Sequence, residues 1–355
     1  MKHLELHILQ SFPVVCLNRD DLNSPKTAIF GGAQRARVSS QSWKRAVRER
    51  AQEISPGRFK GERTRLIVEP LRKALVAAGL AEDKALDQAK KLTDELVTLD
   101  KEAEKKGDFK SKTLFFSTPA ELIELARAFK EHGDAKKAAK AVLKEKGPEL
   151  LKDGADIALF GRMVAHDHSL TLEGAAMFAH ALSTHRVDNE MDFFSAVDDK
   201  QPKEESGAGM TGTLEFNSAT YYRFAALNID LLKDGDHLGV LSEGDRRDVV
   251  RTFVEATLTA VPIARRNSMN GDVLPGYVLG IVRGSGHPVQ FVNAFERPVR
   301  INGAGGLFQA SEDALKEEHK RLNHEWGLKK RELASVTIPG KTLSEFLDEL
   351  TTYVD

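Results

Sequence analysis

The chain opens with a strict alternation of polar and apolar positions. In His3-Leu4-Glu5-Leu6-His7-Ile8-Leu9 the residues Leu4, Leu6 and Ile8 share one side of an extended chain, which predicts a first strand with that face on the core. The next periodicity is helical. A helix starting near Gln41 behind a Ser39 or Ser40 cap lines up Trp43, Val47, Ala51 and Ile54 in one stripe and puts Gln41, Lys44, Arg45 and Arg48 on the other face. From about 61 to 152 the texture turns to Ala, Leu, Lys and Glu at helical spacing. Breaks at Gly79, Gly107, Pro119, Gly133 and Gly147-Pro148 divide it into several short helices.

The apolar run 175–182 reads as a further helix carrying His180, with His185 just beyond. Between 191 and 219 two short β-prone arms flank a tip of Gly, Ser and charged residues that has nothing to build a core from, which suggests a projecting hairpin or a loop. Residues 220–229 alternate like a strand. Ser242 caps an amphipathic helix through Val249, Val250, Phe253, Val254, Leu258 and Val261. Residues 277–283 and 289–294 read as strands, and the last part is helical. The order strand, helix, helical insertion, strand, helix, strand belongs to an α+β fold, compatible with a ferredoxin-like or RRM-like sheet interrupted by insertions.

Composition changes this picture in one respect. The makeup is that of a globular protein, with 41% hydrophobic and 30% charged residues among 355. The formal net charge of -1 hides a separation: residues 1–60 hold 11 Lys/Arg against 5 Asp/Glu, leaving 41 against 48 for the rest. The N-terminal end is therefore the candidate footprint for a polyanion. The single cysteine, Cys16, excludes an intramolecular disulfide and a cysteine-rich zinc module, and fits a reducing, cytoplasmic setting. The alternating start is not a signal peptide, no apolar run is long enough to span a membrane, and no repeat of fixed period is found.

The candidate chemistry concentrates in "IFGGAQRARVSSQSWKR", residues 29–45. Between Arg35 and Arg50 stand six Lys/Arg and one acid, Glu49, with Arg19 and Lys26 upstream. Arg35 and Arg37 arrive on an incoming strand. Ser39 and Ser40 add hydroxyls at a helix N-terminus, whose free N–H groups suit phosphate oxygens. Gly31-Gly32 lets backbone approach a ligand, but the spacing of a Walker loop is absent.

Other clusters are weaker. His166-Asp167-His168 is metal-like in composition, yet adjacent residues rarely converge on one ion, so neither a metal site nor a cofactor is expected. Asp20-Asp21 and Asp198-Asp199 are the carboxylate pairs that a metal-dependent ribonuclease would need, which keeps Asp20 or Asp198 as the alternative reading. His180 and His185 lack a placed partner for acid–base work, and neither Ser39 nor Ser40 stands in a nucleophile constellation. Lys136, Lys140 and Lys144 share a helical line with Lys137 beside them, a solvated face or an anion-attracting one.

"CLNRDDLNSPKTAIFGG" followed by "RVSSQSWKRA" resembles the signature of the backbone subunit (CasC-type) of the type I-E CRISPR Cascade surveillance complex. "GADIALFGRM", "AMFAHALSTHRVDNEMDFFSAVDD", "FNSATYYRFAALNID" and "VNAFE" stand in that family's order. The resemblance implies an RRM-like palm (1–60, 181–190 and 220–355 with C-terminal helices), a helical fingers insertion (61–180) and a β-hairpin thumb (191–219). It implies a non-catalytic scaffold whose copies line up along a CRISPR RNA, protect it and present it to target DNA. Arg19, Lys26, Ser39, Gln41, Lys44 and Arg48 would grip the RNA backbone, together with the basic face around Arg35, Arg37, Ser40 and Arg45. Met163 in "GRM" would sit against the bases at a kink, with Arg162 beside it as a further RNA contact. The fingers lysines Lys136, Lys137, Lys140 and Lys144 would attract duplex DNA. The implied partners are other copies of the chain and the large, small, tail and RNA-processing subunits of the complex. A guide has to be held without its sequence being read, which suits Arg, Lys, Ser and Gln acting on phosphate and ribose.

Overall fold

In the computed structural model, which describes residues 1–164, 166–196, 210–262, 264–301 and 305–354, the strands in chain order are β1 (His3–Val15), β2 (Thr27–Phe30), β3 (Ala33–Val38), β4 (Glu62–Thr64), β5 (Phe115–Ser117), β6 (Ala176–Phe178), β7 (Ala181–Ser183), β8 (Glu190–Ala196), β9 (Met210–Asn228), β10 (Tyr277–Arg283) and β11 (Glu332–Ile338). The helices before β6 are α1 (Ser40–Ile54), α2 (Val68–Ala77), α3 (Glu82–Leu96), α4 (Lys101–Glu104), α5 (Pro119–His132), α6 (Ala135–Lys140), α7 (Gly147–Leu150) and α8 (Ala155–Phe160). Later come α9 (Ile229–Leu232), α10 (Glu243–Thr259), α11 (Gly306–Glu325) and α12 (Leu343–Thr351).

The main sheet runs β11-β10-β1-β9-β7-β3-β2. Within it β1, α1, β7, β9, α10 and β10 form a β-α-β-β-α-β unit, with β1 antiparallel to both β9 and β10 and β7 antiparallel to β9. This is the ferredoxin-like arrangement in an α+β fold. Leu4, Leu6 and Ile8 pack with Val47 and Ala51 of α1 and Val250 and Phe253 of α10, so the two amphipathic stripes cover the sheet face that the alternation points to. Ser242 caps α10 as the sequence predicts, accepting from the Asp245 N–H at 3.1 Å.

The polar residues of the opening alternation do not face solvent. The 289–295 segment and α11 cover that side, where Leu9, Tyr222 and Ile281 meet Phe291, Phe295 and Leu315. Glu5 is buried against the guanidinium of Arg283 at 2.8 Å and accepts the Val289 N–H at 3.1 Å, while the His7 ring stacks on Phe291 with centroids 3.9 Å apart. A charge is tolerated there because its partners come with it.

Between α1 and β6 the chain builds a second core, where Leu71 and Leu75 of α2, Leu92 and Leu96 of α3, and Leu125 and Phe129 of α5 pack together. A small ladder, β4 with β5, joins this helical part to the sheet side; the helical reading of 61–152 does not include it. Off the main strand order, β8 pairs with the first part of β9, from Glu190 opposite Phe216 to Ala196 opposite Met210. The arms expected at 191–219 are thus paired, the tip at 197–209 lies outside the described residues, and β9 continues without interruption into the sheet.

Three sequence readings are corrected. Residues 175–182 form β6 and β7 rather than a helix, because β9 supplies a strand edge to which they bond. Residues 289–294 are not a strand; the chain turns in a short 3₁₀ segment, Val292–Phe295, to cover the sheet. The C-terminal part contains β11 between α11 and α12, whose outer edge position leaves it half exposed and masks its strand period.

Candidate nucleic-acid interface

Ser39, not Ser40, is the cap of α1. Its Oγ accepts the Ser42 N–H at 3.3 Å and its own N–H donates to Asn18 Oδ1 at 2.9 Å. Ser39 is buried in doing so, which takes its hydroxyl out of the surface set. The helix then presents the expected faces. Trp43, Val47 and Ala51 are buried, with Arg223 stacked 3.6 Å above the Trp43 ring, and Gln41, Lys44, Arg45 and Arg48 point the other way.

That second face is the floor of two cavities. One, of about 650 Å³, is lined by Gln41, Lys44, Arg45, Arg48, Arg63 and the apolar group Leu114, Phe116, Phe160 and Met163. The other, of about 510 Å³, lies among Asn18, Arg19, Asn23, Ser42, Arg45 and Arg265. Arg45 lines both, so they meet over α1.

The larger cavity is lined by cations and by no acid. Lys44 is held below its ordinary pKa by burial and by the charge of Arg63. Arg48 is lowered by burial, opposed by Asp156 and Glu49, and its guanidinium lies 5.2 Å over the Phe116 ring. Among the described residues Lys44, Arg48 and Arg63 make no ion pair, whereas Arg45 pairs with Glu49 at 2.8 Å. Cations drawn together on half-buried ground attract an anion, and the apolar wall opposite suits the faces of bases. Arg63, exposed on β4, was missed because 61–152 reads as helical throughout; its strand neighbours Glu62 and Thr64 carry no signal of their own.

Met163 reaches this cavity by a fixed route. Gly161 adopts φ 79°, ψ 159°, a conformation open only to glycine. Arg162 bonds backbone to backbone with Leu172, and Met163 emerges 76% exposed. Arg162 itself is corrected from a surface contact to an anchor. Its guanidinium is 2% exposed and bonds Glu121 Oε1 at 2.7 Å, while Glu121 Oε2 accepts the Thr118 N–H at 2.9 Å in the capping box of α5. One carboxylate thus caps α5 and holds the base of the Met163 loop.

Arg35 is likewise corrected. It is fully buried and donates to the carbonyl oxygens of Ser183 (3.0 Å), Phe295 (2.8 Å) and Glu296 (3.1 Å), tying β3 to β7 and the 295–296 turn. Gly31 and Gly32 make the two-residue turn of the β2–β3 hairpin with positive φ, and a Cβ on Gly31 would fall 1.7 Å from the Glu296 oxygen. Gly31 therefore makes room for the protein's own backbone rather than for a ligand.

Arg37, Lys26 and Ser40 gather at the α1 N-terminus around His180, another residue whose place the sequence did not disclose. His180 Nδ1 accepts the Ser40 N–H at 3.3 Å and lies 3.5 Å from Arg37 Nη1. Burial, with the charges of Arg37 and Lys26, holds His180 below its ordinary pKa.

Lys136, Lys137, Lys140 and Lys144 are all exposed and, among the described residues, make no ion pair. Lys136, Lys137 and Lys140 are on α6 and Lys144 follows in a π turn, Ala141–Glu145, which widens the predicted helical line. Asp167 lies close enough for Lys136 and Lys144 to lower its pKa further, after the Ser169 hydrogen bonds that dominate the shift. Those bonds define its role: Asp167 Oδ1 accepts from Ser169 N at 2.9 Å and Oγ at 2.6 Å, as the cap of a short 3₁₀ turn. Among the described residues no group of three or more His, Cys, Asp and Glu could hold a metal ion. Asp20 Oδ1 accepts the N–H groups of Leu22 and Ser24, a turn-forming use. Asp198 lies outside the described residues. No helix among the described residues is long and apolar enough to cross a membrane.

Residues 4–351 match the family described as CT1975-like protein. No curated protein matches. Among solved structures, a chain of a "CRISPR RNA-guided surveillance complex, pre-nicking" is 30% identical with a TM-score of 0.81, over 99% of this chain and 100% of that one. A chain of a "CRISPR RNA-guided surveillance complex" is 27% identical with a TM-score of 0.68, over 99% of both. With nearly its whole length matched, the chain belongs to the CT1975-like protein family.

Proposed function

We propose that this protein is a non-catalytic RNA-holding backbone subunit of a type I-E CRISPR surveillance complex, of the CasC type, whose copies line up along a guide RNA in the cytoplasm. The observation that carries the reading is the pair of cavities over the basic face of α1. Their lining of Arg, Lys, Gln and Asn against an apolar wall grips phosphate and ribose and leaves base edges free to pair with DNA. The whole-chain likeness to subunits of RNA-guided complexes supports the same assignment. The sheet serves as the palm, the helical core of α2–α6 as the fingers, and the β8–β9 arms as the thumb. Neighbouring copies, the other subunits of the complex and target DNA are the partners.

Linear assembly is tested with labelled RNAs of increasing length. Affinity that climbs with length, with complexes growing in regular mass steps, is expected; one protein per RNA at every length contradicts assembly. Absence of catalysis is tested by incubating the RNA with Mg²⁺, where products abolished by Asp20→Ala would replace the scaffold with a ribonuclease.

A further inference from the structure

Two non-glycine residues among the described ones have a left-handed backbone, Asn23 at φ 67° and Arg265 at φ 56°. Both line the smaller cavity over α1, facing each other from the 17–24 loop and the 264–268 turn. Asn tolerates this conformation, but Arg does not adopt it without cost. At Arg265 the strain accompanies a turn in which its carbonyl accepts the N–H of Ser268 (3.1 Å) and Met269 (2.8 Å), a position glycine would fill with less strain.

The arginine's side chain reaches the Cys16 thiol but has no acidic partner among the described residues. Among the described residues Arg265 makes no ion pair, its Nε is buried without a hydrogen-bond partner, and the guanidinium lies beside the buried thiol of Cys16 rather than against a carboxylate. The same cavity holds Arg19, which bonds only the neutral Asn23 Oδ1 at 3.1 Å, and Arg45. Three guanidiniums therefore line one hollow together with two carboxylates, and of these Glu49 is engaged by Arg45 and Asp20 by turn N–H groups.

We infer that this hollow is a subsite for one phosphodiester of the bound RNA strand and that Arg265, which the sequence did not single out, is its anchor, held in a strained backbone for that purpose. The inference rests on the RNA-holding reading and deepens it. Planar guanidiniums give forked bonds to phosphate oxygens, which a compact ammonium does not.

Because the strain and the charge belong to the same residue, they can be separated. Arg265→Gly relieves the backbone and removes the charge, and Arg265→Asn keeps a side chain that accepts the left-handed region. Binding of a labelled single-stranded RNA is measured across a salt series beside thermal melting of the free protein. Both variants are expected to melt at or above wild type, to bind RNA roughly tenfold more weakly, and to lose about 0.7 from the slope of log K against log salt, the contribution of one single-strand phosphate. Arg265→Lys keeps the slope. Wild-type slope in the Gly and Asn variants overturns the proposal, as does a fall in melting temperature of both, which would make Arg265 a part of the turn alone. A wild type that binds no RNA removes the functional reading itself, whereas a binding wild type with indifferent variants removes only this subsite.

Discussion

Gly161 and Gly174 cross with nothing between them: a Cβ built on either would lie 2.9 Å from the backbone nitrogen of the other. This contact sets where the chain leaves α8, and Arg162 and Met163 follow directly. The Met163 side of the larger cavity's apolar wall is therefore positioned by two residues without side chains.

Gly174→Ala is expected to destabilise the protein by about 1–3 kcal/mol, since the neighbours it meets are backbone atoms that cannot rotate away. Thermal melting measures this. A variant as stable as wild type would show that the crossing has slack.

Glu121→Gln removes the charge that Arg162 is buried against while leaving an oxygen for the Thr118 cap. An uncompensated buried guanidinium costs about 3–5 kcal/mol. Denaturant unfolding should show a loss of that size. Met163→Ala, by contrast, changes an exposed residue and should lower RNA affinity with stability kept, so the two substitutions separate anchor from contact.

Asp156 is fully buried beneath Arg48, accepts the Gly61 N–H at 3.1 Å, and is pushed up to about 6, chiefly by burial. Its folded pKa exceeds the unfolded value of about 4. Between those values the folded protein keeps a proton that the unfolded chain has lost, so this residue's contribution to stability falls as pH rises from about 4 to about 6 and is flat above. Asp156→Asn should remove that slope and gain up to about 3 kcal/mol at pH 7, read from unfolding free energies measured across pH. An unchanged pH profile would mean the carboxylate is compensated in the fold.

The stripes of Leu4, Leu6 and Ile8 and of Trp43, Val47 and Ala51 are legible in the sequence because one period assigns them to one covered face. The basic face of α1 is legible for the same reason. Arg35 and Arg37 show where local pattern stops: two residues apart on β3, they share a strand side, yet a turn 260 residues away in sequence covers Arg35. Arg162 is hidden by a carboxylate 41 positions upstream. Arg63 and His180 come into the interface only because β4 and the segment between β6 and β7 are placed beside α1, which no local spacing states.

If the fingers lysines attract duplex DNA, Lys136→Ala/Lys140→Ala/Lys144→Ala should flatten the salt slope for duplex binding by about 2.7, near 0.9 per charge, with RNA binding retained. Equal loss for RNA and duplex would place these lysines in the guide site instead. No change in either would leave them a solvated face.

The most direct measurement is single-stranded RNA binding across a salt series for wild type and Lys44→Ala/Arg48→Ala. If the cavity over α1 clamps the RNA backbone, affinity falls steeply with salt in wild type and the double variant loses about 1.4 from the slope, roughly 0.7 for each removed cation. A double variant with wild-type affinity and slope would contradict the clamp and reduce that face of α1 to a solvated surface.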